Sequence, residues 1–215
     1  MRVGRETPPV DVRATERTRR RYERLSAYYD RFEGMSEKRY RPWRLKLWRQ
    51  VFGPRVLEVG VGTGKNMPYW PDRVGVTAID LTPGMLALAR RRAGQLRLNP
   101  DLRLGDVQAL DFPDASFDTA VATFVFCSVP DPVLGLRELA RVVRPGGQIL
   151  LLEHMRPDHP LLARITDVLN PIVVQLVGAN LNRRTLDNAR LAGLHLRQVE
   201  GLAMAGMFKF ITAHN

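Results

Sequence analysis

Arg55-Val56-Leu57-Glu58-Val59-Gly60-Val61-Gly62-Thr63-Gly64 decides the fold. Val56, Leu57 and Val59 read as a buried strand, and Gly60, Gly62 and Gly64 as the tight loop that follows it. Glycines leave no Cβ between backbone and ligand, and they accept the positive φ angles that such a turn demands. A helix is expected to begin near Lys65, so that amide N–H groups point into the turn. Strand–loop–helix junctions of this kind bind nucleotide-like ligands. A P-loop is excluded, because it needs a glycine where Val59 stands and a Ser or Thr where Asn66 stands. A dinucleotide fingerprint is Gly-x-Gly-x-x-Gly, whereas here the third glycine comes one residue early.

Two acids downstream sharpen the ligand. Residues 74–80 read as a second strand that ends in Asp80, placed to accept both hydroxyls of a ribose. Residues 102–104 read as a short third strand followed by Gly105-Asp106-Val107. Asp106 can accept an adenine amine, and Val107 can offer its N–H to the ring. Between them Thr82-Pro83 starts a helix that Gly94 ends, with Pro83 in the first position. Ser116-Phe117-Asp118 opens a fourth strand over 119–124. Asp131-Pro132 caps the next helix, and Arg144-Pro145-Gly146-Gly147 turns into a fifth strand over 148–152.

This order of motifs, from 55 to 153, resembles the class I methyltransferases, with Glu58 and the three glycines matching their first motif. The resemblance implies an α/β, Rossmann-like fold with a seven-stranded, mostly parallel sheet whose last strand is antiparallel. It implies S-adenosylmethionine (SAM) as cofactor and S-adenosylhomocysteine as product. Its binding residues would be Glu58, Gly60, Gly62, Gly64, Asp80, Leu81, Met85, Asp106, Val107, Thr123 and Phe124. The chain is expected to be one domain: basic and aromatic N-terminal helices capping the site over 1–53, the SAM-binding core over 54–153, a lid insertion over 154–193 and a terminal hairpin over 194–215.

The chain has 215 residues, enough for one α/β domain with a full core. Its formal charge of +11 is the unusual feature, and it favours a polyanionic partner, either nucleic acid or an anionic membrane surface. The competing reading is an arginine-rich network of stabilising ion pairs. One cysteine, Cys127, excludes an intramolecular disulfide and fits a reducing compartment. Cys127 lacks a Pro-Cys context, and no nearby basic group lowers its pKa, so it reads as a small buried hydrophobe. No secretory leader is visible and no apolar run reaches the ~20 residues that span a bilayer. A cytoplasmic, membrane-peripheral protein is expected.

Residues 1–10 read as a loose tail. A helix is expected from Val12 to Phe32, with Tyr22, Leu25, Tyr29 and Phe32 on one face and arginines on the others, ended by Gly34. A second helix is expected from Pro42 to Phe52. It mixes Trp43 and Trp48 with Arg41, Arg44, Lys46 and Arg49, a composition suited to a membrane interface.

The acceptor is read from the insertion. Residues 160–177 are largely apolar, and Asn180-Leu181-Asn182-Arg183-Arg184 follows. Together with Leu152-Glu153-His154-Met155-Arg156, Leu169-Asn170-Pro171, Tyr28-Tyr29-Asp30 and Ser128-Val129-Pro130-Asp131, this stretch resembles the bacterial phospholipid N-methyltransferases. These convert phosphatidylethanolamine stepwise to phosphatidylcholine. The resemblance implies a phospholipid substrate, with Asn180, Arg183 and Arg184 at the headgroup. Tyr29 is read as orienting the amine and His154 as taking its proton, both catalytic. Ubiquinone and menaquinone methyltransferases share the core motifs but match less well at 178–184. An RNA-binding SAM protein is suggested by charge alone, and no nucleic-acid partner is expected. The four histidines lack paired ligand spacing, so no metal is expected. The chain is expected to act as a monomer.

Overall fold

The computed structural model describes residues 9–176 and 178–214, with the side chains of these residues except 31–36. The expected loose tail lies outside the described residues up to position 8.

Seven strands form one sheet in the order β3-β2-β1-β4-β5-β7-β6. They are β1 (Arg55–Val59), β2 (Gly75–Asp80), β3 (Asp101–Leu104), β4 (Phe117–Thr123), β5 (Val143–His154), β6 (His195–Ala203) and β7 (Phe208–His214). β1 pairs in parallel with both β2 and β4, β2 with β3 and β4 with β5, whereas β7 runs antiparallel to β5 and β6. The terminal hairpin and its antiparallel strand are as the motif order implied. Every residue of β4 is buried, the continuous pattern of a central parallel strand covered on both faces. The chain moves outward from β1 through β2 to β3, then returns to the other side of β1 as β4. This reversal opens a crevice at the carboxyl ends of β1 and β4, where ligands bind in sheets of this kind.

Strand alternation divides the core between the faces. Leu57, Ala120, Ile149, Leu151 and Ile211 pack beneath α3 (Pro132–Val142) and α5 (Thr185–Leu191) with Leu136, Leu139 and Ala189. Val56, Val121, Leu150, Leu152 and Phe210 pack on the other face with Leu47 and Trp48 of α1 (Val12–Arg49) and Leu86 and Ala89 of α2 (Pro83–Gln95). Asp131 caps α3 by accepting the Leu134 N–H at 2.9 Å, and Pro132 occupies the first turn.

Three expectations about the backbone are corrected. The N-terminal region is one 38-residue helix, α1, and not two. Gly34 costs a helix only about 1 kcal/mol, and Pro42 forfeits one backbone bond. The burial of Leu47, Trp48 and Val51 anchors the helix beyond both. No helix starts at Lys65, where a short 3₁₀ turn, Met67–Tyr69, forms instead. Pro68 and Pro71 keep that segment from extending as a helix, so the glycine loop presents no helix N-terminus to a phosphate. Trp48 is fully buried and stacks toward Trp70 with centroids 5.9 Å apart, so it cannot sit at a membrane interface.

Candidate active site

Gly60 and Gly62 have φ of +64° and +55°. A Cβ on Gly62 would meet no heavy atom closer than 4.0 Å, so this position is open toward the crevice, and a side chain there would fill it. Asp80 ends β2 and braces the loop: Oδ2 accepts the Gly62 N–H at 2.9 Å, and Oδ1 accepts the Thr82 N–H and hydroxyl, each at 2.9 Å. Burial pushes the Asp80 carboxyl above its ordinary pKa, opposed by the Thr82 and Gly62 N–H groups. Asp106 lies across the crevice, where Gln108 donates to it from both its backbone and its side chain.

The cavity over these groups spans about 720 Å³, part of it open to solvent. Gly60, Gly62, Asp80, Leu81, Met85, Asp106, Val107, Thr123 and Phe124 all line it. Among the described residues its wall holds two aspartates and no lysine or arginine, which suits a cationic sulfonium and rejects a pyrophosphate. A side cavity beside the loop is lined by the two cations Arg44 and Lys65, whose charge suits an amino-acid carboxylate. The residues present therefore fit SAM, with the aspartates toward the nucleoside and the basic pair toward the methionine end.

Glu58 and Gly64 do not line the cavity. Glu58 is buried and accepts from Asn66 Nδ2 at 2.7 Å and Trp70 Nε1 at 2.8 Å, and burial raises its pKa to about 7. It anchors the segment beneath the loop. Gly64, at φ +81°, packs against Met67, which a Cβ would approach to 2.8 Å.

The N-terminal half of α1 roofs the cavity with Thr18, Tyr22 and Tyr29. Polar contacts hold it down. The Thr15 hydroxyl donates to Asp106 at 3.3 Å, the Gly84 N–H donates to Glu23 at 3.0 Å, and the Thr63 hydroxyl donates to Asp30 at 2.6 Å. Arg92 also donates to Asp30, at 2.7 Å. Motif reading did not find these contacts, because each joins residues far apart in sequence. The (i, i+3, i+4) spacing of Tyr22, Leu25 and Tyr29 was the only available signal, and these three do point into the site. Phe32 lies outside the described side chains.

A second cavity adjoins the first, and Tyr22, Tyr29 and Phe124 line both. Among the described residues, none of its lining side chains is charged. Its wall includes Tyr40, Phe208, Cys127 and His154, with Val173 and Leu176 from α4 (Pro160–Leu176). The Tyr40 ring lies 4.9 Å from that of Phe124 and 5.8 Å from that of Phe208. Neither Tyr40 nor Phe208 was anticipated. The break expected at Gly34 hid the continuity of α1, and Phe208 enters only because β7 pairs it with His154.

His154 Nε2 is shielded from solvent and has no partner among the described residues. The ring bonds to the Asn180 backbone, and burial lowers its pKa to about 4, so it is neutral at pH 7. Because Nε2 is unpartnered, Nδ1 carries the Asn180 bond and Nε2 presents a lone pair. Phe124 has a φ of +58°, strained for a non-glycine residue. Glu153 fixes the loop beyond it by accepting the Val125 N–H at 2.8 Å and the Phe126 N–H at 3.1 Å, and burial raises the Glu153 pKa to about 7. Cys127 is buried, and burial pushes its thiol far above its ordinary pKa.

The headgroup triplet is not brought to either cavity. Asn180 donates its Nδ2 to the Cys127 carbonyl at 2.8 Å, and Arg183 donates to the Cys127 and Val129 carbonyls at 3.3 and 3.0 Å. Both clamp the loop after β4, which gives Arg183 a structural part to play beside the phosphate role expected of it. Arg184 is exposed. Among the described residues, no group of three or more His, Cys, Asp or Glu could hold a metal ion.

The family described as a methyltransferase domain matches residues 57–151. The chain is 41% identical over 152 residues to a phosphatidylethanolamine N-methyltransferase of Cereibacter sphaeroides, covering 70% of this chain and 74% of that protein. It is 34% identical over 154 residues to a demethylmenaquinone methyltransferase of Listeria welshimeri, covering 67% of this chain and 65% of that one. In fold it is similar to a Thermotoga maritima structure described as a SAM-dependent methyltransferase and possible histamine N-methyltransferase. The TM-score is 0.70 at 21% identity, over 90% of this chain and 98% of the other.

Proposed function

The chain belongs to the class I SAM-dependent methyltransferases, and from that premise we propose that it N-methylates phosphatidylethanolamine stepwise toward phosphatidylcholine. The observation that carries this reading is the second cavity: free of charged side chains among the described residues, walled by aromatic rings, and holding one neutral imidazole with a free lone pair. The similarity to the Cereibacter enzyme supports it.

A protonated primary amine cannot attack a methyl group, so the proton must leave first. An imidazole with a pKa of about 4 does not keep a proton from an alkylammonium. His154 Nε2 therefore accepts a hydrogen bond from it while the proton passes on to solvent, and Tyr29, shared by the two cavities, orients the nitrogen. Bound SAM supplies an electrophilic methyl on a sulfonium. The chain contributes mainly positioning and exclusion of water. Each methyl added leaves a bulkier cation, which the faces of Tyr29, Tyr40 and Phe124 hold without a counter-ion.

A lipophilic quinol is the second reading, favoured by the Listeria relative and by the apolar wall. For either acceptor we read the protein as peripheral to the cytoplasmic face of an anionic membrane, on the basis of its +11 charge. Methyl transfer from labelled SAM to phosphatidylethanolamine, demethylated quinol and RNA, run side by side, tests the assignment. Label in phosphatidylethanolamine supports it, and label confined to the quinol or RNA overturns it.

A further inference from the structure

Helix α4 is inside out. Three of its polar residues face the protein: Thr166 is buried, Asp167 accepts from Arg156 and Asn182, and Asn170 bonds Asn180 Oδ1 at 3.3 Å and the Leu181 N–H at 2.8 Å. Ala163 and Thr166 are the buried residues of the helix. Leu161, Leu162, Ile165, Val168, Leu169 and Ile172 face outward, with Leu161 61% exposed and Val168 75% exposed. The spacing of 161, 165, 168 and 172 makes one continuous apolar stripe along the helix. Hydrophobic residues scattered singly over a surface need no account, but a contiguous stripe does.

One basic residue flanks the stripe on α4, and two more lie near the helix. Arg164 is exposed on α4 itself, Arg184 lies close enough to stabilise the Asp167 carboxylate, and Arg21 packs over Gly178 just beyond the helix. At ~1.5 Å per residue, a 17-residue helix is ~26 Å long. No helix among the described residues is long and apolar enough to cross a membrane. The inner edge of α4, through Val173 and Leu176, forms part of the acceptor cavity wall. An apolar face, nearby basic residues and an adjoining acyl-sized cavity fit the boundary between anionic headgroups and acyl chains.

We propose that α4 lies in the plane of the bilayer with its 161–172 face sunk to the level of the acyl chains, and that a lipid passes from that depth along α4 into the His154 cavity. The element that inserts is thus α4. The long basic helix α1 supplies attraction, since its Trp48 is committed to the core. The lipid-passage part rests on the phospholipid reading, whereas the docking surface stands apart from it.

The test is flotation of the full chain with vesicles of phosphatidylethanolamine and phosphatidylglycerol, comparing the natural protein with Ile165→Glu/Val168→Glu. Both positions are exposed, and neither lines a cavity. The variant should keep its melting temperature, its SAM affinity and its methylation of a short-chain, monomeric phosphatidylethanolamine. It should lose vesicle binding by about tenfold or more, and methylation of vesicle lipid with it. Leu161→Glu alone gives a second reading should the double variant fold poorly. A folded variant that floats like the natural protein overturns the proposal. So does light scattering that shows a natural dimer dissociated by the variant, because a second copy would then cover the face. If the natural protein floats, the variant does not, and neither methylates any phosphatidylethanolamine, the surface stands and the phospholipid reading falls.

Discussion

The Asp30 carboxylate on α1 accepts the Thr63 hydroxyl of the glycine loop at 2.6 Å while Arg92 of α2 holds its other oxygen at 2.7 Å. One carboxylate thus ties the roof of the SAM site to its floor and to a neighbouring helix. Asp30→Ala should loosen the roof and weaken SAM binding about 3- to 10-fold, as expected for the loss of charge-assisted bonds at a partly exposed site. Dissociation should quicken more than association slows. Stopped-flow measurement of SAM release checks this, and an unchanged release rate would separate α1 from the exchange of SAM.

Asp80 both braces the loop and faces the cavity. Asp80→Asn keeps the size and removes the charge, and should weaken SAM by about tenfold or more. Titration calorimetry on the folded variant measures it directly. Gly62→Val should abolish binding, since it places a branched side chain at a position of positive φ opening onto the crevice.

The core of this fold was legible because its determinants are local. A buried strand, three glycines and two acids at successive strand ends identify the sheet edge without reference to anything distant. Glu58 was misplaced because a buried carboxylate beside a glycine loop can face the ligand or the core, and only the positions of Asn66 and Trp70 decide between them. The clamp made by Arg183 was missed for a similar reason: an arginine in a polar loop gives no sign of which carbonyls will surround it. The inversion of α4 could not be read at all, because an apolar helical stripe in sequence does not say which way it faces.

His154 makes a pH prediction. Its folded pKa of about 4 lies below the ordinary 6.5, so on acidification the unfolded chain takes up a proton first. Stability from this group is complete above pH 6.5 and is lost as pH falls toward 4. By pH 5 the loss amounts to about 2 kcal/mol. Glu58 and Glu153, raised to about 7, contribute the opposite slope between pH 7 and 4.5, equally in both proteins compared. His154→Gln should therefore be the more acid-tolerant protein, with a stability difference that moves in its favour by about 2 kcal/mol between pH 7.5 and 5 in denaturant titrations. The same variant should lose methyl transfer while keeping SAM affinity.

Arg183→Ala removes the donors to the Cys127 and Val129 carbonyls; Cys127 keeps its two bonds from Asn180, whereas the Val129 oxygen loses its side-chain donor and the buried loop loses its clamp. A loss of about 2 kcal/mol of stability is expected, with methylation falling through disorder of the loop at Phe124. Headgroup binding should be affected no more than turnover. Were stability unchanged and only the apparent KM for lipid raised, the arginine would be a phosphate ligand after all.

The central claim, phosphatidylethanolamine as acceptor, is tested most directly in a living membrane. The chain is expressed in a bacterium that makes phosphatidylethanolamine and no phosphatidylcholine, and its lipids are read by mass spectrometry. The account predicts monomethylated and dimethylated phosphatidylethanolamine, absent from cells carrying His154→Gln. A folded, SAM-binding protein in cells whose phosphatidylethanolamine stays unmethylated, while a quinone gains a methyl, would contradict it.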